Sequence, residues 1–142
     1  MSHFLPLLIL LLLASISDIT TRTIPNTLIV LGMILAVFNI LWGGTMSMLD
    51  MLKILVVVGW VGFLLFKIGW LGAGDIKLIM MIEMFLPLND FLLAMLYTMV
   101  LGGVVSLGYK YLKSDHGVPY ALAITLGVLC QRLLMDQGVF PG

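Results

Sequence analysis

Long apolar runs separated by short polar breaks dominate the chain, and their spacing predicts helices rather than strands. The runs read as about six spans: Phe4 to Ile19, Thr27 to Trp42, Met51 to Phe66, Ile76 to Leu86, Phe91 to Tyr111 and Val118 to Leu134. About 20 apolar residues cross a bilayer core, so five of the runs approach spanning length. The fourth does not. At about 1.5 Å per residue, its roughly eleven residues cover about half of a 30 Å core. That span is expected to begin or end inside the protein, because irregular backbone at membrane depth is tolerated only against protein or a water-filled cavity. The expected fold is all-α: a polytopic membrane protein of about six transmembrane helices forming a single domain over residues 1–142.

Composition narrows the function classes. Of the 142 residues, 62% are hydrophobic and 10% charged, the mean hydropathy is +1.21, and seven basic residues balance seven acidic ones. Zero net charge without a basic run argues against nucleic-acid binding. One cysteine, Cys130, excludes an internal disulfide and a multi-cysteine zinc site. The first span has only His3 ahead of it and no small-residue cleavage site behind it, so it is expected to be retained rather than removed as a signal peptide. Arg22, Lys67, Lys77, Lys110 and Lys113 fall on one side of the predicted bundle and only Lys53 and Arg132 on the other. By the positive-inside rule the first, third and fifth connections face the cytoplasm and both termini lie outside it. Gly59 and Gly62 in the third span, and Gly102, Gly103, Ser106 and Gly108 in the fifth, are expected to let helices approach closely.

In so apolar a chain each charge invites a question, since a charge at membrane depth is costly. Asp18 ends the first span, ahead of Arg22, Pro25 and Asn26. Asp75 opens the fourth within Gly72-Ala73-Gly74-Asp75-Ile76-Lys77. Taken singly, each has an ordinary explanation: a solvated turn for Asp18, a helix-capping acid for Asp75, a helix N-cap for Asn26 and turn punctuation for Pro25. The topology, which uses neither aspartate, puts both at a similar depth on one face. Two carboxylates brought together resist double ionisation, so one keeps a proton while its partner acts as base on a water that attacks a peptide carbonyl. Alternatives remain open. Intramembrane carboxylates also build ion pathways, as in a proton- or ion-coupled transporter, and a non-catalytic assembly factor would need neither acid.

Three ordered motifs resemble the type IV prepilin peptidases, the Gly-x-Gly-Asp class of intramembrane aspartyl proteases: Asp18 with Arg22 and Ile24-Pro25-Asn26; Gly72 to Lys77; and Gly117-Val118-Pro119-Tyr120-Ala121-Leu122-Ala123-Ile124. The resemblance implies cleavage of the short basic leader of prepilin or pseudopilin substrates, after a leader Gly, at the cytoplasmic face of the inner membrane. Asp18 and Asp75 match the family's catalytic pair, and Pro119 and Tyr120 match a segment near the site. Larger members carry paired Cys-x-x-Cys motifs and also methylate the new pilin N-terminus. With only Cys130 present, neither methyl transfer nor zinc is expected, and the chemistry calls for no cofactor. The compact form most resembles the peptidases of tight-adherence (Flp) pilus systems.

Other residues carry weaker expectations. Lys77, about 200° around a helix from Asp75, should point away from it and serve as a snorkelling or substrate-surface cation. Arg22 orients its loop, anchors at anionic headgroups or acts directly at the site. Glu83, the sole glutamate, lies within about 80° of the Asp75 face and either meets a substrate helix or reaches the outer interface. Membrane lipid is the expected surrounding. The sequence leaves the oligomeric state and the particular substrate open.

Overall fold

The computed structural model describes residues 4–43, 46–111 and 120–138, and Pro119 therefore lies outside the described residues. Among these, six helices follow in order: α1 (Phe4–Thr21), α2 (Asn26–Leu41), α3 (Met48–Ile68), α4 (Ala73–Glu83), α5 (Leu88–Tyr111) and α6 (Tyr120–Asp136). They match the six expected runs. Three, over Phe4–Thr21, Met48–Ile68 and Leu88–Gly108, are long and apolar enough to cross a membrane, whereas α2 is apolar but shorter. Trp42, Trp60 and Trp70 stay on the surface, and so do most large side chains of α3, as a chain solvated by hydrocarbon requires.

The short α4 is the centre of the bundle and packs against α2, α3, α5 and α6. Leu78, Met81, Ile82 and Glu83 are buried, and so are Met84, Phe85 and Leu86 in the turn that follows. Within that turn the Phe85 N–H donates to the Ile82 carbonyl at 3.0 Å and the Leu86 N–H to that of Glu83 at 3.3 Å. The half-length span is thus completed by a buried turn whose backbone bonds are made internally, and α5 starts one residue beyond Pro87.

Close approach to α4 depends on missing side chains. A Cβ on Gly32 of α2 would strike Met81, and one on Gly62 of α3 would fall 2.7 Å from Ile76 Cγ2. On the far side, α6 lies against α5 where Gly127 faces the Thr98 backbone, 2.7 Å from its nitrogen to a hypothetical Cβ. The small-residue face expected along α5 is only partly used. Gly102 meets Ala123, but Gly103 and Gly108 look onto open space, because only one stripe of α5 faces α6.

A polar staple joins α1 to α6. Ser15 Oγ lies 2.6 Å from Thr125 Oγ1, and Thr125 Oγ1 donates to the carbonyls of Leu11 at 3.1 Å and Ala121 at 2.8 Å. At the other end of this pair of helices, Arg132 stands 5.3 Å from the ring centre of Phe4. Gly127→Ala is expected to lower stability by about 1–3 kcal/mol through overpacking against backbone that cannot yield. Gly103→Ala is expected to be neutral or slightly stabilising. Thermal unfolding of the purified protein in detergent compares them.

Candidate active site

α1, the start of α2, the start of α4 and the start of α6 converge at one end of the bundle. α1 ends because Arg22 adopts a left-handed conformation (φ 58°) while its N–H donates to the Asp18 carbonyl at 3.1 Å. That geometry closes a helix C-terminus and usually belongs to glycine. Hydroxyls then knit the connection: Ser17 Oγ donates to the Thr23 carbonyl at 2.8 Å, and Thr21 Oγ1 reaches the same carbonyl at 3.2 Å. Pro25, in an extended conformation, precedes α2, and its carbonyl accepts from Leu28 N–H at 3.1 Å.

Asp18 is held from across the chain. Its Oδ2 accepts the backbone N–H of Ala121 at 3.1 Å, in the first turn of α6. An acid at a helix N-terminus satisfies an amide that the helix itself leaves without a partner. This bond lies directly above the Ser15–Thr125 staple, so α1 and α6 are locked together beneath the carboxylate.

Asp75 is held within its own turn. Gly72 occupies the N-cap position of α4, and the Asp75 side chain, three residues on, turns back to a backbone hydrogen bond from Gly72. A Cβ at Gly72 would sit 3.0 Å from Asp75 Oδ2, so glycine clears the space the folded-back carboxylate occupies. At Gly74 a Cβ would meet Ile24 Cδ1 at 3.7 Å, an ordinary contact, and this arrangement does not demand glycine there. Asp75 lies in the first turn of α4, ahead of the apolar segment that begins at Ile76 and outside the three helices long and apolar enough to cross a membrane. Burial raises its pKa above the ordinary carboxylate value, the negative charge of Asp18 raises it further, and the Gly72 hydrogen bond acts in the opposite direction.

Both aspartates line one cavity of about 360 Å³, together with Arg22, Thr23, Ile24, Asn26, Gly72, Ala73, Gly74 and Lys77. Lys77 is a correction. Instead of pointing away it lines this cavity, its Nζ donating to Asn26 Oδ1 at 2.9 Å. A long, flexible side chain has a reach that helix angles alone do not express. Asn26 also lines the cavity; it is the first helical residue of α2, with Pro25 at the N-cap position, and its side chain joins α2 to α4.

Tyr120 opens α6 but does not line the cavity; it is the next residue's amide that reaches Asp18. Glu83 is far from the mouth, about 12 Å along α4 from Asp75. It is fully buried, with no partner for either carboxylate oxygen among the described residues, and so does not reach an outer interface. Among the described residues no cluster of three or more His, Cys, Asp or Glu side chains is arranged to hold a metal ion.

Residues 5–107 match the model of the type IV leader peptidase family. The chain belongs to that family. The match contains both aspartates and the Gly72–Lys77 segment, and it stops short of α6, which supplies the amide to Asp18. No curated protein and no solved structure matches the chain. As a member of this peptidase family it is a membrane protein whose family implies a prepilin substrate.

The raised pKa of Asp75 has a consequence for stability. A carboxyl whose pKa is higher in the folded state contributes stability at low pH and loses that contribution as pH rises through the folded value. Asp75→Asn, which keeps an oxygen for the Gly72 amide, is therefore expected to unfold at a higher temperature than the wild type at neutral pH. The difference should vanish toward pH 3, as read from melting curves across a pH series.

Proposed function

We propose that the chain is an aspartic endopeptidase that removes the leader of prepilin-like proteins after Gly at the cytoplasmic face of the inner membrane. The observation that carries this reading is the shared cavity. Asp18 from the end of α1 and Asp75 from the start of α4 line it together, close enough for the charge of one to act on the other.

In this reading Asp75, whose pKa is raised, keeps the proton that the pair shares and donates it as a hydrogen bond to the scissile carbonyl oxygen. Asp18 takes a proton from the water between them. The hydroxide equivalent adds to the carbonyl carbon, the C–N bond breaks, and the proton passes to the departing amine. Arg22, Asn26 and Lys77 shape the mouth, the Lys77–Asn26 bond fixing α2 against α4. The family match and the basic residues of the first, third and fifth connections support a cytoplasmic site with both termini on the opposite side.

Each aspartate also satisfies a helix N-terminus, and an asparagine keeps that hydrogen bond. Asp18→Asn and Asp75→Asn are accordingly expected to fold and to lose about 10³-fold or more of the cleavage rate. Purified enzyme in detergent or lipid, given a prepilin with its leader intact, provides the measurement; undiminished leader release by either variant would refute the aspartic mechanism.

A further inference from the structure

Beside the polar cavity runs a second depression of quite different character. It holds about 290 Å³ and is lined entirely by apolar residues and Gly62. Its walls are α3, from Ile54 to Leu65, and α5, from Leu88 to Met99; its floor is α4, through Ile76 and Ile79. Each wall extends over about twelve residues, or about 16 Å of helix. The volume is far too small to enclose a helix 10–12 Å across. It suits the side chains of one helix face laid along the opening, about three turns long.

The two depressions share one short piece of chain. Gly72, Ala73, Gly74, Asp75 and Lys77 line the polar cavity, whereas Leu71, Ile76 and Ile79, interleaved with them, line the apolar groove. A polypeptide cut at Asp75 thus passes from polar surroundings into apolar ones within a few residues. The occupant that fits has a polar segment before the scissile bond and an apolar helix immediately after it. Met95 and Met99 offer a wall that adapts to different side chains.

We infer that the groove between α3 and α5, floored by α4, seats the first three turns of the substrate's apolar helix and so sets the register of the scissile bond over Asp75. The inference rests on the peptidase reading above.

Two measurements test it. Val61→Trp and Leu92→Trp fill the groove from its two walls, and each is expected to raise KM for a full-length prepilin at least tenfold. Val30→Trp and Ile34→Trp, on the exposed face of α2, are expected to leave it unchanged. In an Asp75→Asn background with Cys130 replaced by Ser, Val57→Cys and Leu92→Cys should form disulfides with a prepilin carrying a cysteine within ten residues after its cleavage site. Val30→Cys and Ile34→Cys should not. Unchanged KM in both groove variants, crosslinks at α2 instead, or groove crosslinks only between two copies of the enzyme would overturn the inference. Wild-type enzyme that leaves the prepilin uncut would instead overturn the functional reading on which it rests.

Discussion

A helix of eleven residues cannot cross a bilayer, and the bundle is arranged around that shortfall. Hydrocarbon offers no partner for a backbone amide, so α4 and the Met84–Leu86 turn must be enclosed by protein. Enclosure places α4 at the centre, and close contact with its neighbours requires glycine at Gly32 and Gly62. It also puts the first turn of α4 at the mouth of the bundle, where four helix ends meet. The position of Asp75 therefore follows from a length mismatch as much as from any demand of chemistry.

The two carboxylates reach this mouth by different means. Asp75 is fixed locally, by the amide of Gly72, while Asp18 is fixed by an amide 103 residues away. Each makes a hydrogen bond that any helix-capping acid makes, and neither bond alone indicates catalysis. Their shared cavity separates the functional explanation from the structural one. It is also why burial and like charge act together on Asp75, since both acids line the same partly enclosed space.

Much of this was legible from the residues. The apolar runs located all six helices, the brevity of the fourth signalled an interior ending, and span counting brought Asp18 and Asp75 to one end. What escaped depends on contacts between distant segments. Helix angles alone turn Lys77 away from Asp75, yet its flexible stem brings it to Asn26 across 51 residues of sequence. Tyr120 drew attention as a side chain, whereas the amide of Ala121 makes the contact, and backbone donors carry no residue-type signal. Arg22 gives no hint of its left-handed conformation, because that geometry is set by where α1 must stop. The Ser15–Thr125 staple hid among apolar residues for a similar reason: a hydroxyl in a hydrophobic run announces a partner only once the facing helix is known.

The bond between Asp18 and Ala121 also has a meaning for biogenesis. A ribosome makes α1 well before α6, so the carboxylate waits through the synthesis of four intervening helices before its amide donor exists. The same order holds for α4, which is too short and too charged to settle in lipid by itself and acquires its full enclosure only once α5 and α6 follow. The nascent chain consequently carries both acids without an assembled mouth until α6 has been made.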